Sequence, residues 1–372
     1  MSYRVDAMFL AFAELRRSLG RFTLLGGAVG LLVLLLLFFQ AVAGALTGGL
    51  TGAYEAGDTD VWVYDDAARR NPQASVVDDG VADAVAGVDG VAVASPVTFT
   101  VFDVGDEPTA VIAVEPDSPA LPAELSSGSA IADSGDAILA VSGFVAAPPT
   151  DGLELAGVPV DVVGEAEGAT FNVLPTLFTT RDVVAEATEA RAGAPVPLPT
   201  SAIAVTVADG VDPVTLAADI TGAVDGVEAV DAATAVTSLP GAGTITRSFS
   251  ILYVLLYLVV AIVTAVFFQI LTVQKRDALV LLRAVGARRR DVVVPVLVQV
   301  VMVVGVAVLV GAGIATGLLT ALQDVFGAGL DPTTVVTSSV AILVLGLLAG
   351  LLSVRRILRI EPVEAVRGGG LA

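Results

Sequence analysis

The sequence predicts an α+β membrane protein: four transmembrane helices, with a large extracytoplasmic α/β domain between the first and the second. Three observations carry this expectation. Four runs free of charged residues occupy positions 22–46, 248–273, 292–323 and 333–354. Each can span about 30 Å of hydrocarbon at about 1.5 Å of helix rise per residue. Charge is divided along the chain, since residues 46–247 hold five of the 19 basic residues and 31 of the 39 acidic ones, a net −26. Segments 1–21, 274–291 and 355–372 together carry 14 basic and six acidic groups, a net +8. Short basic connections stay on the cytoplasmic side. A multi-pass protein of the cell membrane is therefore expected, with both termini and the 274–291 loop inside and residues 47–247 and 324–332 outside. Third, the 47–247 domain contains two similar strand–helix–strand units.

In chain order, segment 1–21 sets Val5, Met8, Phe9, Phe12, Leu15 and Leu19 against Arg4, Glu14, Arg16, Arg17 and Arg21 at roughly helical spacing. This reads as a cytoplasmic amphipathic helix on the inner membrane face; the charged flank of a signal sequence is the alternative. Residues 22–46 form the first span. Ala41-Val42-Ala43 and Ala43-Gly44-Ala45 imitate signal-peptidase sites, but the apolar run is longer than a secretory core and is read as an uncleaved helix.

Residues 59–64 alternate as a strand, with Val61 and Val63 opposite Trp62 and Tyr64. Residues 75–86 are helix-like, 87–91 turn, and 91–102 return as a strand. The order recurs with a strand at 202–207, a helix from Asp212-Pro213 to Ala223, a turn at 224–227 and a strand to Val236. Proline fits just inside a helix start, where its missing N–H has no partner in any case. The two units, 58–102 and 201–236, predict a ferredoxin-like pair. A small β-rich insertion at 103–200 interrupts them, with strands at 110–114, 137–141 and 158–163 and a helix at 181–191, capped by Thr180 and ended by Gly193.

The connection between the second and third spans, 274–291, carries the only lysine, Lys275, with Arg276, Arg283, Arg288, Arg289 and Arg290. Ala278, Leu279, Leu281, Leu282 and Val285 fall at the spacing of a helix with one apolar face. Gly286 ends that helix, and Arg288 to Arg290 follow near its negative end. An apolar face stranded between two spans is a docking element. Contact of the basic loop with anionic lipid is the alternative, although lipid electrostatics does not require the apolar face. In the third span Pro295 is tolerable with a kink. Gly305, Gly311, Gly313 and Gly317 either admit a neighbouring helix closely or are incidental.

Much chemistry is excluded. The chain has no cysteine and no histidine, which removes disulfides, thiolate nucleophiles, zinc sites with nitrogen or sulfur ligands, and Ser-His-Asp catalysis. A phosphate-binding Gly-x-x-x-x-Gly-Lys-Ser/Thr loop cannot exist, because the one lysine precedes Arg276. No span carries an ionisable residue of the kind that ion-coupled carriers place in the membrane. The carboxylates are scattered and lack the spacing of a calcium loop. They read as a hydrated surface for a salt-rich medium, and the composition is similar to that of haloarchaeal proteins. Ser126, Ser127, Ser129 and Ser134 have no histidine or lysine near them in sequence to act as base. No catalytic residue, metal, cofactor or nucleic-acid partner is expected in this chain, so energy for any transport must enter from a partner.

Leu281-Leu282-Arg283-Ala284-Val285-Gly286-Ala287, followed by Arg288, resembles the coupling segment of the MacB-like and FtsX-like permeases, the type VII subunits of ATP-binding cassette (ABC) systems. Ile360-Glu361-Pro362-Val363-Glu364-Ala365-Val366-Arg367 resembles the motif that closes that family after its last span. The outer domain is similar in plan to the porter and small β parts of the MacB-like periplasmic domain. The resemblance implies a permease that passes ATP-driven motion to its outer domain, for export or for handling a substrate already outside. It implies docking of a separate ABC ATP-binding subunit on Arg276, Asp277, Leu279, Leu281, Leu282, Arg283, Ala284, Val285, Gly286, Ala287 and Arg288, with Glu361, Pro362, Val363, Glu364 and Arg367 as the C-terminal motif. ATP and Mg would lie on that subunit. Further partners are a second copy or a paralogous permease, the lipid bilayer, and an extracytoplasmic protein. Two alternatives remain: an FtsX-like transmitter that activates an external hydrolase, and a membrane sensor or adhesion protein without an ATPase.

Overall fold

Helix α1 (Leu19–Glu55) runs on past residue 46, because its last turns bury Leu50, Ala53 and Tyr54 in a protein core. The computed structural model describes residues 19–78, 80–105, 107–142, 148, 150, 152–274, 289–321 and 331–358. The amphipathic helix expected at 1–21 therefore lies outside the described residues, apart from 19–21. The chain forms two compact units, divided at Val42/Ala43 and again at Arg247/Ser248.

The α/β unit contains β1 (Val61–Asp65), α2 (Val81–Ala86), β2 (Val91–Val104), β3 (Glu107–Val114), β4 (Ser127–Gly128), β5 (Asp136–Val141), β6 (Glu154–Leu155) and β7 (Val158–Pro159). It continues through β8 (Asp161–Glu167), β9 (Thr176–Thr180), α3 (Arg181–Ala192), β10 (Ala202–Val207), α4 (Pro213–Ala223), β11 (Val227–Asp231) and α5 (Ala232–Ser238). Nine strands form one sheet in the order β11-β1-β10-β2-β3-β9-β5-β8-β4, and β6 and β7 pair separately. The first four are antiparallel neighbours, the ferredoxin-like arrangement expected from the two units.

The 103–200 insertion extends this same sheet, because β2 is long enough to serve both parts. Its first half pairs with β10, from Val93 opposite Thr206 to Val97 opposite Ala202. Its second half pairs with β3, from Thr98 opposite Ala113 to Val104 opposite Glu107. Beyond that point β3–β9 and β5–β8 are parallel and β5–β9 is antiparallel.

The alternation in β1 places its residues on two faces. Val61 and Val63 pack with Val85 of α2 and Leu216 and Ile220 of α4. Trp62 and Tyr64 face the other core, which takes Leu50, Ala53 and Tyr54 from α1, Phe99 from β2 and Phe178 from β9. A third core joins Val183, Val184 and Ala187 of α3 to Val111, Leu139 and Leu177 of the insertion strands.

Three local expectations are corrected. The helix expected at 75–86 is confined to Val81–Ala86. Val77 is drawn into a bridge with Thr200, and Gly80 has φ +88°, which ends any helix preceding it. The strand expected to reach Val236 stops at Asp231, whose carboxylate caps α5 by accepting from the Thr234 amide at 3.0 Å. The 158–163 strand is two strands, parted at Val160, whose amide donates to the Leu153 carbonyl at 2.9 Å.

The membrane unit contains the first part of α1 with α6 (Ala242–Gln274) from Ser248 onward, α7 (Arg289–Ala321) and α8 (Pro332–Leu358). Among the described residues, four stretches are long and apolar enough to cross a membrane: Phe22–Glu55, Ala242–Leu271, Val294–Ala321 and Pro332–Leu352. Helix α7 passes through Pro295 as one element. Val29 and Val33 of α1, Val260 of α6, Val300 and Val304 of α7 and Ile342 of α8 are fully buried.

Candidate coupling segment

The predicted docking residues Arg276, Asp277, Leu279, Leu281 to Ala287 and Arg288, and the C-terminal motif from Glu361 to Arg367, lie outside the described residues. The structure defines the frame on which they hang. Helix α6 ends at Gln274 and α7 begins at Arg289. Arg289 and Arg290 thus belong to the start of α7, where the expectation placed them just beyond the docking helix.

That frame is close-packed. Phe22 of α1 meets Phe267 of α6 edge to face, with ring centroids 6.0 Å apart. A Cβ on Gly311 of α7 would stand 2.5 Å from the Gly30 carbonyl oxygen and 2.9 Å from Val33 Cβ, so α1 and α7 approach closely at that glycine. Gly313 and Gly317 face open space and Gly305 makes only an ordinary contact. Of the four glycines singled out in the third span, one therefore supports close approach. Sequence reasoning missed two others on α8: a Cβ on Gly350 would meet Val300 Cγ2 of α7 at 2.6 Å, and one on Gly346 would meet Val304 Cγ2 at 3.2 Å. The signal was their spacing of four, one helical turn, which sets both on one face.

Three glutamines of the spans, Gln40, Gln299 and Gln269, have different surroundings. Gln40 Oε1 accepts from Ser338 Oγ at 3.0 Å, Gln299 is buried with its Nε2 unpaired, and Gln269 is exposed. The membrane unit also has two apolar grooves. One, of about 450 Å³, is lined by Gly26, Gly27 and Gly30 of α1 with Met302, Val306 and Val310 of α7; the other, of about 570 Å³, lies between α1 and α6. Among the described residues no three acidic side chains gather into a metal-binding group.

Residues 250–362 match the FtsX-like permease C-terminal family. A protein of Staphylococcus haemolyticus named as the hemin transport system permease HrtB is 26% identical over 119 residues, covering 32% of this chain and 34% of that protein. Its Staphylococcus epidermidis counterpart is 25% identical over 118 residues, covering 31% and 33%. The chain thus matches about a third of the length of these curated relatives. Among solved structures, the periplasmic region of MacB from Actinobacillus actinomycetemcomitans aligns with TM-score 0.35 at 12% identity, covering 48% of this chain and 91% of that one. The extracellular domain of the noncanonic ABC-type transporter YknZ from Gram-positive bacteria aligns with TM-score 0.30 at 16% identity, covering 46% and 99%. The stretch from residue 250 to residue 362, which holds the second, third and fourth apolar helices, is similar to the C-terminal domain of FtsX-like permeases.

Proposed function

We propose that this chain is the permease subunit of an ABC transport system, and that it carries ATP-driven motion from a separate ATPase across the membrane to the 47–247 domain. The match of residues 250–362 to FtsX-like permeases carries the reading, since that match contains the basic, apolar-faced connection between the second and third spans. The apolar face of Leu281, Leu282 and Val285 enters a groove on the ATPase, and two copies of the permease, or this chain and a paralogue, are drawn together when the ATPases close. The reading places the 47–247 domain outside the cell, where it acts on a substrate already there or at the outer leaflet. With no histidine or cysteine in the chain, the commonest axial ligands for the hemin named for HrtB are absent here, and the proposal names no cargo class.

The test is co-purification in mild detergent of the wild type and of a Leu281→Asp/Leu282→Asp double variant, with identification of what comes down. The expected result is an ABC ATP-binding subunit with the wild type, reduced about tenfold or more by the two buried charges in the groove. An ATPase held equally by both forms would move the docking site elsewhere. Absence of any ATPase from both would overturn the coupling reading in favour of the lipid-contacting sensor or adhesion protein.

A further inference from the structure

Helices α1 and α7 run side by side in one direction. A Cβ on Gly30 would stand 3.3 Å from the Ala307 carbonyl oxygen, and Gly311, one turn further along α7, presses on Gly30 and Val33. The apolar groove of about 450 Å³ follows this contact. Part of its lining is bare backbone, since a Cβ on Gly26 or Gly27 would meet nothing within 4 Å. Exposed Leu31, Val306 and Val310 line the rest.

Length and charge say what fits this groove. The lining runs from Phe22 to Leu34 on α1 and from Met302 to Ile314 on α7, about 18 Å of helix at about 1.5 Å per residue. That is the depth of one leaflet, about half of a 30 Å hydrocarbon core, and falls short of what a spanning helix needs. Charge lies at one end only: in α1 Arg21 directly precedes Phe22, and α7 opens with Arg289, Arg290 and Asp291. With Gly30 beside Ala307, position 290 lies about 12 Å further out than position 21. Arginines thus bracket the layer of lipid headgroups, which is about 5–8 Å thick. Two parallel copies of the chain sharing the groove would instead bring these arginines together.

We infer that the groove seats an acyl chain of an anionic phospholipid from the leaflet at the Arg21 end, with the headgroup between positions 21 and 290. By the distribution of basic residues that leaflet is the cytoplasmic one. The acyl chain covers the bare backbone of Gly26 and Gly27, and the arginines select the headgroup by its charge. The inference needs only that α1 and α7 cross a membrane, so it stands whether or not an ATPase binds.

Native mass spectrometry of the full chain, in micelles offering phosphatidylglycerol and phosphatidylcholine with the same acyl chains, tests it. The wild type is expected to keep one phosphatidylglycerol, in preference to phosphatidylcholine by about tenfold or more. Gly27→Leu fills the groove with a better helix former and is expected to lose that lipid. Gly317→Leu, on an equally open glycine of α7 outside the groove, is expected to keep it. Arg21→Gln leaves the groove intact and is expected to cut the preference about fivefold, the worth of one basic residue at an anionic surface. The inference is overturned if the wild type keeps neither lipid or both equally, if Gly27→Leu binds phosphatidylglycerol as the wild type does, or if Arg21→Gln leaves the preference unchanged. It is equally overturned if Gly27→Cys, in a chain with no other cysteine, cross-links two copies on mild oxidation in the membrane, because a second copy would then fill the groove. Should Gly27→Leu fail to fold, the Arg21→Gln and Gly27→Cys results decide.

Discussion

Tyr64 is fully buried with its hydroxyl beside that of Tyr54, and neither hydroxyl, nor the indole N–H of Trp62 beside them, makes a well-formed hydrogen bond. Burial pushes the ionisation of both tyrosines well above the ordinary phenol range, so they stay neutral at any physiological pH. Their work is done by the rings: Tyr54 stands 4.5 Å from Trp62 and stacks on Phe99 at 5.4 Å. A buried, unpaired hydroxyl costs about 1–3 kcal/mol, whereas truncating a buried aromatic to alanine costs about 3–5 kcal/mol. Tyr64→Phe, which keeps the ring and removes the orphan, is therefore expected to leave unfolding temperature unchanged or raise it, and Trp62→Phe to lower it. Trp62 is the only tryptophan, so its fluorescence reports the first variant directly, and circular dichroism serves for the second. A loss above about 1 kcal/mol in Tyr64→Phe would show that the hydroxyl is partnered in solution. The facing of these residues was legible in the sequence, because the Val61, Trp62, Val63, Tyr64 alternation has the period of a strand. The packing of Gly49 and Gly52 against residues 168–173 was not, since nothing local to either segment names the other.

Among the elements, those written by short-range rules came through best. Helix α4 starts where Asp212 caps and Pro213 enters, with Asp212 Oδ2 accepting from the Thr215 amide at 3.0 Å. Helix α3 ends at Gly193, φ +70°, whose amide donates to the Glu189 carbonyl at 2.8 Å. Its Thr180, expected as a side-chain cap, donates instead to the Ser134 carbonyl at 2.7 Å, a tertiary bond outside the reach of sequence pattern. Helix packing in the membrane unit lies between these cases, because a glycine in a span admits a neighbour only if one arrives. Gly311→Ala forces a methyl against the Gly30 carbonyl and Val33, an overpacking expected to cost about 1–3 kcal/mol. Gly317→Ala meets nothing within 4 Å and replaces glycine inside a helix, expected to be neutral or to gain up to about 1 kcal/mol. Thermal unfolding of both variants in one detergent checks the pair. Equal losses would mean that α1 and α7 are not in register at Gly311.

At the scale of the whole molecule, orientation rests on where the 14 basic residues of the three short segments sit. Acidic charge contributes little to membrane topology and a long domain crosses largely regardless of its own charge, so the −26 of residues 46–247 is consistent with an outer location without establishing one. The proposed coupling segment is readable in the sequence as composition, an apolar face and arginines between two apolar runs, while residues 275–288 lie outside the described residues and no geometry stands beside that reading. A chain without cysteine allows orientation to be read cleanly. Ala130 is an exposed residue of the α/β unit, and Ala278 lies in the basic connection. In intact cells, Ala130→Cys is expected to react with a membrane-impermeant maleimide and Ala278→Cys to react only after the membrane is opened. The reverse pattern would place the basic connection outside, where no cytoplasmic ATPase could reach it. That outcome would remove the coupling reading and the positive-inside argument together, while the fold would stand.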